Sequence, residues 1–137
     1  MHPPYYVRLQ TFSHVGNVRE KNEDALAYYP EHLSHNIIGD QFLSLCVADG
    51  LGGPPAGEVA SKIAVESFTR NITKFKNNIL PEHVKSAIIQ SHRDILKQAN
   101  EKSDYHGMGT TLVSGIFKEN EILIGWCGDS RIYSYHE

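Results

Sequence analysis

The order of hydrophobic patterns in this 137-residue chain predicts an α+β fold with an antiparallel sheet. Three observations carry that class. Strand-like runs gather in the first and last thirds, with two helical patterns between them, instead of alternating with helices. The connections between strands are short. With 40% hydrophobic residues over 137 positions, the chain suffices for one domain with a real core and is too short for two.

Each element has its own warrant. Tyr5 to Phe12 is rich in aromatic and β-branched residues and reads as a strand, and Ala25 to Tyr29 reads as a second, shorter one. Phe42 to Ala48 is almost wholly apolar, as expected of a strand buried on both faces. A helix follows, with Val59, Ala60, Ile63, Ala64 and Phe68 near one side and Glu58, Lys62, Glu66 and Arg70 mostly off it, ending near Asn71 to Thr73. Pro81 suits the first turn of a second helix, whose stripe of Val84, Ile88, Ser91, Ile95 and Ala99 runs to about Glu101. Asn100 to Gly107 is polar and loop-like. Thr111 to Phe117, Ile122 to Cys127 and Ile132 to Tyr135 are strand candidates, the first two joined by a hairpin over Lys118-Glu119-Asn120-Glu121.

The charge balance narrows the function classes. Thirteen basic and sixteen acidic residues give a net charge of −3 without long blocks, so no basic stripe offers itself to a nucleic acid. No apolar run approaches a membrane span, and Met1-His2-Pro3-Pro4 has neither a basic nor an apolar leader character, which predicts a soluble, cytoplasmic protein and leaves its oligomeric state open. Cys46 and Cys127 each lie in a strand-like run and read as small buried hydrophobes; they could bridge only if their strands were neighbours. His32 and His35 stand close together without an acid or thiolate in a matching frame, a poor basis for a zinc site.

The informative residues are acids at strand ends. In Val47-Ala48-Asp49-Gly50-Leu51-Gly52-Gly53 a carboxylate closes an apolar run and glycines follow at once, which is either an ordinary turn or a side chain presented to a ligand with little bulk around it. Glu23 and Asp24 stand directly before the Ala25 strand, within Arg19-Glu20-Lys21-Asn22-Glu23-Asp24. Neighbours on an extended chain point to opposite sides, so both face one site only if the backbone bends or waters extend their reach. Asp129, in Gly128-Asp129-Ser130-Arg131, lies between two strand-like runs. Oxygen donors without histidine or thiolate favour a hard cation, namely magnesium, manganese or calcium. Such a cation beside a forked donor such as Arg19 suits hydrolysis of a phosphate ester.

Taken together, Gly16-Asn17-Val18-Arg19-Glu20-Lys21-Asn22-Glu23-Asp24, the Asp49 stretch running on to Gly57-Glu58, Met108-Gly109-Thr110-Thr111 and Gly128-Asp129-Ser130-Arg131 resemble a known set. They are similar, in order and spacing, to the motifs of the metal-dependent protein serine/threonine phosphatases of the protein phosphatase 2C (PP2C) type. Leu51, where other members carry histidine, looks like the bacterial branch. The resemblance implies a β-sandwich flanked by helices in an α-β-β-α arrangement, a binuclear manganese or magnesium centre and a phosphoprotein substrate. It implies that Arg19 binds the substrate phosphate, that Glu23, Asp24 and Asp49 serve the metals directly or through water, and that Asp49 bridges them with the Gly50 carbonyl as a further ligand. Asp24 and Asp49 would thereby carry catalysis, and Asp129 would match the acid of a third, more weakly held metal. Gly109, Thr110 and Thr111 would start a central strand, Glu58 would sit in the first helical turn, and Ser130 and Arg131 would hold a hairpin. Because Leu51 removes an imidazole proton donor, protonation of the leaving group would fall to a metal-bound water.

The resemblance runs along essentially the whole chain, yet residues 1–137 match only the N-terminal part of that domain, ending after the Gly-Asp-Ser-Arg strand. The Ser-Asp-Gly and Asp-Asn motifs of the family's second half do not occur in it, and Asp40, Asp94 and Asp104 stand in unlike contexts. Two functional classes follow: a phosphatase completed by further sequence, or a phosphatase-like binding module without turnover. An unrelated calcium-binding fold is disfavoured by the lack of EF-hand-like acid spacing.

Overall fold

The computed structural model describes residues 7–31, 42–53, 55–76, 78–118 and 121–137. Its elements are β1 (Asp24–Tyr29), β2 (Leu43–Leu51), α1 (Ala56–Ile72), α2 (Pro81–Glu101), β3 (Gly109–Thr110), β4 (Leu112–Lys118) and β5 (Glu121–Cys127), with short 3-10 turns after each helix. The sheet is antiparallel in the order β1-β2-β4-β5, and β3 pairs with the far end of β2. Thus the predicted α+β class holds, and the described residues form one sheet with a helical layer against it.

Register sorts the side chains. Ala25, Ala27, Cys46, Ala48, Leu112, Ile116 and Leu123 fall on one face and join Ala60, Ala64, Val65 and Phe68 of α1 in the core. α2 packs on α1 and reaches the sheet at Gly125, where an added Cβ would lie 2.5 Å from Val84 Cγ1. Pro81 opens α2 as expected, and His83 Nδ1 accepts the Leu80 N–H at 3.1 Å, satisfying a donor at the helix entrance. Glu58 does stand in the first turn of α1 and Arg70 in its last, where each complements the helix dipole.

Three expectations change. β2 is buried on both faces only at its start: Leu43 and Ser44 are buried and Leu45 is half-buried, but from there on Cys46, Ala48 and Gly50 are buried while Val47 is 46% exposed and Asp49 is exposed as well. The cause is that both helices cover the same side. Of the Tyr5 to Phe12 strand, residues 5 and 6 lie outside the described residues, and Val7 to Phe12 is irregular. Ile132 to Tyr135 is irregular too, although Ile132 leans over Gly115 on the face away from the helices. Neither run pairs with a strand among the described residues, and β-branched and aromatic composition alone does not make a ladder.

Cys46 and Cys127 are free, with β4 between their strands, so no bridge forms; Cys46 is buried as expected, but Cys127, at the end of edge strand β5, is exposed. Burial pushes the Cys46 thiol up to about 11, in keeping with an inert core residue. His32 and His35 lie outside the described residues. No helix among the described residues is long and apolar enough to cross a membrane.

Candidate functional site

Antiparallel pairing places Asp24 directly opposite Asp49, at the end of β2 that leads into the glycine turn. Both side chains therefore fall on the face away from the helices, side by side across the strand pair. Burial first, then the charge and hydrogen bond of Asp49 and the charge of Glu23, hold Asp24 above the usual carboxylate range. Two like charges facing each other call for a proton or a cation between them. The entry of β1 is fixed by Asn22, whose Oδ1 accepts the Asp24 N–H at 3.0 Å while its Nδ2 donates to Ser13 Oγ at 2.8 Å.

Glu23 takes the opposite side, as alternation requires. Its side chain is nearly buried against Gly57 at the start of α1, with Oε2 3.2 Å from Arg19 Nη1 and Oε1 without a hydrogen-bond partner. Gly57 permits this approach, because a Cβ there would stand 2.5 Å from Glu23 Oε1. Gly50 is required for the same reason: its Cβ would collide with the Gly57 carbonyl, and its N–H donates to the Glu23 carbonyl at 3.2 Å. The Asp49 turn, the Glu23 strand entry and the α1 N-terminus are thus seated on one another through two glycines.

The backbone of Asp49 is held from the other side. Its carbonyl accepts from the Thr111 N–H at 2.9 Å and from Thr110 Oγ1 at 3.0 Å, and its N–H donates to Thr111 Oγ1 at 3.0 Å. Asp129 follows β5 in the turn that abuts Thr111, exposed and apart from the acidic pair. Among the described residues no three acidic, histidine or cysteine side chains gather to hold a metal. The structure therefore unites Asp24 with Asp49, links Arg19 with Glu23, and leaves Asp129 outside both groups. Asn22, Gly57 and Thr111, read from the sequence only as members of the motifs, support the site through contacts with Asp24, Glu23 and Asp49. Asn22 carried a readable signal, an Asx residue two positions before a strand-entry acid, whereas the other two are set by long-range packing.

The donor set fits a hard cation that keeps several waters: a facing carboxylate pair beside a glycine turn, and a buried carboxylate oxygen with no partner.

Residues 17–137 match the family described as protein phosphatase 2C. The chain belongs to that family. It is 30% identical over 122 residues to the serine/threonine phosphatase stp of Listeria monocytogenes, covering 86% of this chain and 46% of that protein. It is 32% identical over 127 residues to the serine/threonine protein phosphatase PstP of Mycobacterium tuberculosis, covering 93% of this chain and 22% of that one. Among solved structures, the catalytic domain of PstP in complex with two manganese ions superposes with a TM-score of 0.66 at 32% identity, covering 85% of this chain and 45% of that one. Stp1 of Staphylococcus aureus does so with a TM-score of 0.71 at 30% identity, covering 96% and 51%. The chain thus spans about half the length of the Listeria relative and of these solved phosphatase domains, and less of full-length PstP.

Proposed function

We propose that this protein phosphatase 2C chain carries the N-terminal part of a metal-dependent protein serine/threonine phosphatase, acting on phosphoserine and phosphothreonine esters of proteins. The observation that carries the reading is the facing pair Asp24 and Asp49 at the mouth of the glycine turn. These two carboxylates, with the Gly50 carbonyl and with Glu23 directly or through water, would hold manganese or magnesium, and Asp129 would serve a third, weaker site. When bound, the cation supplies Lewis acidity that makes water nucleophilic at neutral pH and screens the phosphoryl oxygens.

The chain's own contributions are positional. Carboxylates hold a cation only when ionised, so loading at Asp24 and Asp49 would depend on pH. Arg19 is 70% exposed and tethered by one contact to Glu23, so its planar fork stays available to two phosphate oxygens. Glu23 orients that fork and is in turn fixed by Gly57.

The deciding experiment is a Mn2+ titration of the purified chain by calorimetry, paired with an assay of phosphopeptide hydrolysis. Asp49→Asn should abolish metal binding and any activity; equal binding in the variant would remove Asp49 from the site. In an active form of the domain, Arg19→Ala should raise KM by about tenfold or more, because it removes a charged phosphate contact. An unchanged KM would take Arg19 away from the phosphate.

A further inference from the structure

Thr111 is used on every side. Its N–H bonds the Asp49 carbonyl at 2.9 Å, its Oγ1 accepts the Asp49 N–H at 3.0 Å, and that same oxygen lies 2.6 Å from Ser130 Oγ. Its methyl is wedged against Gly128, which has φ +101° and where a Cβ would stand 2.8 Å from Thr111 Cγ2. Thr111 is buried, whereas Ser130 lies in the turn after β5 and belongs to neither the acidic pair nor the Arg19 group. A serine in that turn therefore reaches inward to a hydroxyl that grips a site carboxylate's backbone.

We propose that Ser130 is a positioning residue for Asp49, acting through the Thr111 hydroxyl. The inference rests on the metal reading given above. A threonine hydroxyl has one proton and two lone pairs, so pairing with Ser130 fixes which way it turns and leaves a lone pair directed at the Asp49 N–H. Chained hydroxyls also polarise one another, which strengthens the bond to Asp49. The need for such a grip follows from the site itself: Asp49 stands directly opposite Asp24 near the end of β2, where two like side chains push apart unless the Asp49 peptide is held. Removing Ser130 loosens the peptide without touching either carboxylate.

The test uses the full 137-residue chain and Mn2+ as the probe. Ser130→Ala should weaken Mn2+ binding by about tenfold, the scale of losing an outer-shell contact. In the metal-free protein, the Asp49 amide should exchange with solvent about tenfold faster relative to the Cys46 amide, a local opening that leaves the rest of β2 unchanged. Thr111→Val, which keeps the branched shape and removes both the Ser130 link and the acceptor of the Asp49 N–H itself, should show both effects at least as strongly. Ser130→Thr should retain wild-type values. Arg131→Ala is the control within the turn, since its guanidinium bonds Tyr133 Oη at 3.4 Å, and it should alter neither readout. Wild-type affinity together with an unchanged Asp49 amide in Ser130→Ala would overturn the proposal. Failure of the wild-type chain to bind Mn2+ would count against the metal reading instead. The amide exchange, measured without metal, would then still decide the link from Ser130 to Asp49.

Discussion

On the helix side of the sheet small residues, Ala25, Ala27, Cys46, Ala48 and Gly125, are mixed with Leu112, Ile116 and Leu123; the other side carries Leu26, Leu43, Leu45, Val47, Val113, Ile124 and Trp126. Both sets are largely apolar, yet helices close over the first, whereas the second is buried at Leu43 and Val113 and more open elsewhere. Small side chains let a helix axis come close, and Gly125 has no room for even a methyl beside Val84. Several large ones on the second face remain open, Trp126 at 66% and Val47 at 46% exposure. The difference teaches that stability and chemistry are assigned to different sides. The helix face supplies the packed support, and the open face presents Asp24 and Asp49 at its edge.

The widest gap between the faces should appear on truncating an aromatic from each. Phe68 of α1 is fully buried, so Phe68→Ala should cost about 3–5 kcal/mol, read from the shift in urea midpoint at constant slope. Trp126→Ala should cost less than about 1 kcal/mol, because most of its surface is already in water. Comparable losses at the two positions would erase the distinction.

A smaller effect is expected where the two regions meet. Gly50→Ala forces the β2 end away from the Gly57 carbonyl, which is backbone and cannot rotate aside. The cost should be about 1–3 kcal/mol, with Mn2+ binding lost as Asp49 shifts. Unaltered stability would mean that the Glu23, Gly50 and Gly57 contact is not a tight seat. Smaller still, Asp49→Asn should stabilise the metal-free chain by about 0.2–1 kcal/mol, since it removes a like charge directly opposite Asp24. That substitution thus separates what the open edge needs for a ligand from what the fold needs.

Much of the fold was legible because periodicity is local. The stripes of α1 and α2, the Pro81 start and the β4–β5 hairpin all follow from spacing within one element. The misread segments are those whose structure depends on a neighbour. Val7 to Phe12 and Ile132 to Tyr135 have strand composition and no strand partner among the described residues, while Phe42 to Ala48 is almost wholly apolar although its two faces meet different surroundings toward the Asp49 end. The site was legible in parts. Acids at strand ends suggested a hard cation, and the family resemblance selected Asp49 and Asp24. That these two stand in register, or that Thr111 holds the Asp49 backbone, is a property of pairing across the sheet that no local pattern contains.

The smallest expected effect concerns acid, where the two regions should pull in opposite directions. Between the helices, Asp94 accepts from Ser67 Oγ at 2.6 Å, from Arg70 Nη2 at 2.9 Å and from Gln90 Nε2 at 2.9 Å. The Ser67 hydrogen bond foremost, with Gln90 and the Arg70 and Lys97 charges, outweighs burial and holds its carboxyl below the ordinary range. In the unfolded chain it titrates near about 3.9. There the unfolded state binds more protons, so the stability that Asp94 contributes is present above that value and is lost as pH falls through the folded one. Asp24 has the reverse sign: its folded value is raised, so its contribution is greatest below the unfolded value and is lost as pH rises through the folded one. In the metal-free protein, urea midpoints followed from neutrality to about pH 3 should therefore fall less steeply in Asp94→Asn than in wild type, and more steeply in Asp24→Asn. An acid limb unmoved by Asp94→Asn would show that the network between α1 and α2 is not held in solution. Movement in the same direction for both variants would mean that the open edge is not the repulsive pair its register describes.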